Sequence, residues 1–217
     1  MGSGALTTEA RQQAWMCLAA VKEQFAARGW FPATSGNLSL KVQEDPLVFL
    51  VTASGKDKTE SGPDDFLLVD GDGQPVEATE NRPSAETRVH AALYRAFPEV
   101  GAVFHVHTVA NNVISELFFA QGRVPIGPQE LIKVLGIWDE DAVSEVPIVE
   151  NFADIARLAE AVARVANPRV PGVLIRNHGI YAWGESPLAA KRHLEAFEFL
   201  FQYRLALLQC RAALVGV

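Results

Sequence analysis

The sequence predicts an α/β architecture in which helices are layered on a largely antiparallel sheet. Short β-rich runs come in neighbouring pairs, as hairpins would. Stretches with helical spacing flank those pairs, and no repeat, linker or low-complexity segment divides the chain. The strict strand–helix alternation of a doubly wound sheet is absent. At 217 residues the chain suits one domain, 1–217, large enough to bury a substantial core.

Residues 7–28, TTEARQQAWMCLAAVKEQFAAR, place apolar side chains at helical spacing behind a Thr7 cap, and Gly29 stops the run. NLSLKV at 37–42 alternates like a strand, and PLVFLVTA at 46–53 is a β-rich run ending in SGKDK. FLLVDGDGQPVE reads as two short strands around a Gly-Asp-Gly turn. Ser84 is placed to cap a helix over 85–97, closed by Pro98 and Gly101. GAVFHVH is then a buried strand, with a helix over 108–120 leaving its end. QELIKVLG is a short helical segment or loop, and SEVPIVE is strand-like. Asn151 caps a helix over 152–166, with Asp154 in its first turn. GVLIRNHGIYAWG gives two strands joined near Asn177-His178-Gly179, and Ser186-Pro187 opens a long helix from 187 to about 213.

Composition narrows the function class. A net charge of −7 argues against a nucleic-acid or anionic-membrane surface, while leaving room for a local basic pocket. Cys17 and Cys210 lie far apart in helical stretches and read as small buried hydrophobes, compatible with a reducing cytosol. No basic segment followed by an apolar run marks a signal peptide, and Leu6 spoils a myristoylation pattern after Met1-Gly2. No apolar stretch reaches the ~18 residues of a membrane span. A soluble cytoplasmic protein is expected.

The chemistry starts at FHVHT. On a strand His105 and His107 point to one face and aim two imidazoles at one spot. His178, between Asn and Gly at a strand end, is the candidate third ligand. Three neutral imidazoles with an open position make a catalytic site for zinc or another divalent transition metal. Two strand histidines satisfied by hydrogen bonds are the competing explanation. His90 and His193 fall in helical runs and are left outside the set.

TSGNLSL, VTASGKDK, PSAETRVHAALYRAFPEVGAVFHVHT and IRNHGIYAWG occur in the order found in the class II aldolase/adducin superfamily, which this chain resembles from about 10 to 205. The resemblance implies a three-layer α/β/α sandwich, a homotetramer with sites between neighbouring subunits, and one zinc ion per subunit on His105, His107 and His178. It also implies a sugar-phosphate substrate. By themselves TSGNLS and TASGK are Gly-bearing turns whose N–H groups can approach an anion, and ordinary turns look the same. In the family the matching loops hold phosphate, which assigns Gly36, Asn37, Ser54, Gly55 and Ser84 to that role, with Lys58 and Ser35 beside them. Ala85 stands where the family's aldolases often carry a second Ser, which departs from a strict aldolase pattern.

Two glutamates compete for the proton chemistry. Glu86 in PSAET matches the aldolases' acid/base. Glu130 in QELIKVLG resembles the catalytic glutamate of a narrower branch, the methylthioribulose-1-phosphate dehydratases of methionine salvage. HVHTVANNVIS also resembles bacterial members of that branch. Either residue also suits a first helical turn, where the dipole favours a carboxylate. The dehydratase reading makes Glu130 the principal acid/base and retains Glu86 in the site. A class II aldolase or 4-epimerase is the alternative, and an adducin-like binding module is disfavoured by the intact histidine set. Trp138, Phe118 and Phe119 are candidates for an apolar end of the pocket, with core packing competing for each.

Overall fold

The computed structural model describes residues 8–215, so the Thr7 cap and the Met1-Gly2 start lie outside the described residues. Helix α1 (Thr8–Ala27) buries Ala14, Leu18, Val21 and Phe25 along one stripe, and Gly29 at φ 69° ends it. The strands are β1 (Asn37–Gln43), β2 (Val48–Thr52), β3 (Phe66–Asp70), β4 (Ala102–Val106), β5 (Arg123–Ile126), β6 (Ser144–Val149), β7 (Gly172–Ile175) and β8 (Gly179–Gly184). They form one sheet in the order β3-β2-β1-β4-β8-β7-β6-β5. The β6–β7 pair is parallel, and the other neighbouring pairs are antiparallel. The exception follows from connectivity. Helix α4 (Ile155–Val165) crosses over between β6 and β7, and a parallel pair needs such a crossover.

Side chains alternate across the sheet and build two cores. On β4, Ala102, Phe104 and Val106 face α1, α3 (Val109–Leu117) and α5 (Pro187–Val215). Val103 faces the opposite layer, α2 (Thr87–Ala96) and α4, together with Tyr181 and Trp183 of β8. The result is helices on both faces of a central mixed sheet. By the same alternation His105 faces the α2–α4 layer, where the site is built.

Several boundaries differ from expectation. The second half of FLLVDGDGQPVE forms only a bridge, Val69 to Pro75, because Pro75 has no N–H to extend a ladder. β5 is an addition to the expected strands: RVPI is four residues long and contains a proline. Helix α2 starts at Thr87, and Ser84 makes no side-chain cap to it. Its hydroxyl instead accepts from Glu86 N at 3.4 Å, and its carbonyl accepts from Thr87 Oγ1 at 2.6 Å. The α4 cap is Asp154, accepting from Ala156 N and Arg157 N, and Asn151 is employed elsewhere. The 108–120 helix ends at Leu117, followed by a 3-10 turn over Phe119–Gln121. Cys17 is half-buried and Cys210 exposed, so the latter is no core residue. Among the described residues no helix is long and apolar enough to cross a membrane.

Candidate metal centre and active site

Strand β4 and the β7–β8 turn meet at one end of the sheet. Asn37 of β1 and Tyr181 of β8 are the cross-strand neighbours of His105, so all three side chains share its face. His107 follows two residues on, and His178 occupies the turn before β8. One ring nitrogen from each histidine lies within 4.8 Å of the others. His107 Nε2 is 2.9 Å and His178 Nε2 3.4 Å from His105 Nε2. The His105 ring stacks on Tyr181 at 4.1 Å with an interplanar angle of 10°. Gly179 makes the approach possible: a Cβ there would stand 2.5 Å from Val106 O and 2.8 Å from His105 Cε1.

Hydrogen bonds at the far nitrogens settle the tautomers. His105 Nδ1–H donates to Ile180 O at 3.0 Å, and His178 Nδ1–H donates to Asn151 Oδ1 at 3.1 Å. With Nδ1 engaged in this way, both rings turn Nε2 toward the common centre. Burial, reinforced by His178, holds His105 well below the usual histidine range. Burial and then His105 push His107 down to about 3. Neutral lone pairs this close repel one another unless a cation sits between them. The donor set and the oriented far nitrogens of His105 and His178 fit a divalent metal.

Glu86, at the start of α2, adds a carboxylate. Its Oε1 is 3.2 Å from His178 Nε2 and its Oε2 3.3 Å from His105 Nε2, with the side chain 13% exposed. Asn37 Nδ2 donates to Oε2 at 2.7 Å, and Asn37 Oδ1 accepts from His90 Nε2. The Asn37 side chain thus bridges the carboxylate and a buried imidazole. The Tyr181 hydroxyl is buried beside Glu86, and burial and that carboxylate push its pKa well above the usual range.

Beside this centre the loops expected at the phosphate come together in part. The antiparallel Ala53–Pro83 bridge lays the two loops side by side, with Ser54 N donating to Arg82 O at 2.8 Å and Ser84 N to Thr52 O at 3.0 Å. Lys58 is buried, 5% exposed, and donates to Thr34 O at 2.6 Å. Among the described residues it meets no carboxylate at ion-pair distance. Burial, then repulsion from Lys22, pushes its pKa down to about 8. Ser35 Oγ is buried and has no hydrogen-bond partner among the described residues. Gly36, at φ 74°, is required by packing, because a Cβ would meet the Phe31 ring at 2.6 Å and His105 O at 2.8 Å. Glu130 is not brought to the histidines of its own chain: it opens a 3-10 turn, is 84% exposed and pairs with Lys133 at 2.8 Å. Phe118 and Phe119 pack partly against the core, whereas Trp138 is 71% exposed. His193 donates to Trp183 O from α5.

Asn151, His90 and Tyr181 are site residues that sequence reasoning missed. Only His90 left a signal, since it stands four residues after Glu86 and on a helix shares its face. Asn151 is separated from His178 by a helix and a strand, and nothing local marks the contact.

Comparison with known proteins agrees with this architecture. Residues 17–205 match the model of the Class II Aldolase and Adducin N-terminal domain. A methylthioribulose-1-phosphate dehydratase of Persephonella marina is 54% identical over 198 residues, covering 91% of this chain and 92% of the relative. The protein of the same name from Bacillus subtilis is 54% identical over 199 residues, 91% of this chain and 95% of its own. The crystal structure of l-fuculose-1-phosphate aldolase from Thermus thermophilus superposes with a TM-score of 0.71 at 26% identity, covering 94% of this chain and 99% of the aldolase.

Proposed function

This chain belongs to the class II aldolase and adducin family, and from that premise we propose that it is a hydro-lyase dehydrating 5-methylthioribulose 1-phosphate. The product is 2,3-diketo-5-methylthiopentyl 1-phosphate, a reaction of methionine salvage carried out in the cytoplasm. The observation that carries this reading is the convergence of three imidazole nitrogens beside a carboxylate, in a chain 54% identical to proteins named for that reaction. His105, His107 and His178 would hold one zinc ion, which supplies Lewis-acid polarisation of the substrate carbonyl when bound.

Loss of water requires removal of the proton at C3, next to the carbonyl, and departure of the hydroxyl at C4. Glu130 is the proposed principal acid/base, presented by a neighbouring subunit of a homotetramer. Its exposure and its pairing with Lys133 rather than with a histidine of its own chain support that arrangement. Glu86 fixes the reacting end from within the chain. The Lys58 cation and the Ser35, Ser54, Gly55 and Ser84 loops receive the phosphate, supported by the buried lysine and the unpartnered Ser35 hydroxyl. Gly36 lets this loop pass close to β4.

A sugar-phosphate aldolase or 4-epimerase is the second reading, favoured by the position of Glu86 at the histidines. Product analysis on methylthioribulose 1-phosphate, fuculose 1-phosphate and ribulose 5-phosphate separates them. Water loss from the first alone is expected, and cleavage of the second to a triose phosphate would overturn the dehydratase.

A further inference from the structure

The hydrogen bond from Asn37 Nδ2 to Glu86 Oε2, 2.7 Å, is itself held from behind. Asn37 Oδ1 faces His90 Nε2, His90 Nδ1 lies 2.6 Å from Ser39 Oγ, and Ser39 Oγ lies 2.7 Å from Tyr94 OH. Asn37, Ser39, His90 and Tyr94 are all buried, so water cannot stand in for a missing partner.

The chain has one self-consistent direction. Burial keeps the His90 ring neutral, its pKa pushed down to about 3 with Glu86 opposing, so the ring carries a single N–H. With that proton on Nε2, His90 donates to Asn37 Oδ1, Ser39 donates to Nδ1, and Tyr94 donates to Ser39. With the proton on Nδ1, the bare Nε2 would demand the amide nitrogen of Asn37. The amide would then turn its oxygen on the Glu86 carboxylate, setting two acceptors against each other.

We propose that His90 is a positioning residue: its Nε2–H sets which end of the Asn37 amide meets Glu86, and so holds that carboxylate against the His105–His178 pair. An amide passes no proton at neutral pH, so this is an orienting strut and not a proton relay. It assigns the Asn37 side chain to the carboxylate and not to the substrate phosphate. The kinetic arm of the test rests on the dehydratase reading, whereas the spectroscopic arm does not.

Histidine-selective 15N spectra of the zinc-loaded full chain should show His90 neutral with its proton on Nε2, and a bare Nε2 overturns the proposal. His90→Leu should lower kcat roughly tenfold or more, as loss of an outer-shell partner does, with KM within about twofold and zinc content unchanged. His90→Gln, whose amide can donate where Nε2 did, should recover most of that loss. Equal losses in both variants, or a raised KM at unchanged kcat, overturn the proposal. Should His90→Leu fail to fold, the tautomer of the unaltered chain decides. If that chain dehydrates no methylthioribulose 1-phosphate, the dehydratase reading fails while the tautomer still decides the role of His90.

Discussion

A single acceptor, Asn151 Oδ1, orients the exposed side of the histidine cluster. It receives the Nδ1–H of His178, just as the Ile180 carbonyl receives that of His105. Asn151→Ala should therefore weaken zinc binding by ~10–100-fold in a chelator competition, while His193→Ala leaves it unchanged. Equal affinity in both variants would remove Asn151 from the site. The two glutamates are separable at the same scale. If Glu130 is the principal acid/base, Glu130→Gln keeps zinc and loses roughly 10²-fold or more in turnover, about 2.7 kcal/mol in barrier, with Glu86→Gln milder. The aldolase reading reverses that order. The three histidines were legible as candidates because alternation on a strand and the Asn-His-Gly turn are local patterns, and the family resemblance joined them into one set. Asn151 was not, because an Asn before a helix looks like a cap wherever its side chain points, and here Asp154 caps α4.

Among the elements, α3 ties the two halves of the centre together. Thr108 caps it directly after His107, and Asn112 Nδ2 donates to His178 O at 2.8 Å. Ser115 Oγ accepts from Asn177 N, and Glu116 binds Arg176 through two bonds, so the turn carrying His178 is clamped to this helix. Its N-terminus is held in turn by Glu198 of α5, which accepts from Thr108 Oγ1 at 2.7 Å and Asn111 Nδ2 at 2.9 Å. Burial raises the Glu198 carboxyl from 4.5 to about 7, partly offset by those two hydrogen bonds. A carboxyl raised in the fold gives stability that is full below the unfolded value and lost as pH rises through the folded one. Unfolding free energy should thus fall between about pH 4.5 and 7, by on the order of 3 kcal/mol, and level off above. Glu198→Gln should abolish that slope, read as the difference between the two chains in denaturant titrations across the window. Parallel curves would exclude the carboxyl as its source. Neither Glu198 nor the clamping role of α3 is legible in the sequence, since a glutamate in a long helix reads as an exposed residue until the helix partner is known. β5 escapes notice for the related reason that RVPI becomes a strand only by pairing with β6.

Over the whole molecule, what the sequence made legible was the layering. Alternation in β4 and β8 sorts two cores, and helical stripes supply the outer layers. What it left open was which surfaces would meet further copies of the chain. Val109, Val113 and Leu117 are exposed at four-residue spacing along α3, on the helix that clamps the metal centre. Leu188, Phe199 and Tyr203 are exposed on α5. Such stripes suit burial against further copies, consistent with the proposed tetramer and with Glu130 acting on a neighbour's histidines. Sedimentation at micromolar concentration should give a tetramer, and Val113→Glu should shift it toward smaller species. The sharper test is complementation. Glu130→Gln and His178→Ala chains should each be nearly inactive alone. If sites are shared, a histidine set from the first can meet a Glu130 from the second. Co-refolded in equal amounts, the two chains should recover roughly a quarter of full activity by random assortment in a symmetric assembly. Should Glu130 serve its own chain, mixing restores nothing, because every site then carries one of the two defects.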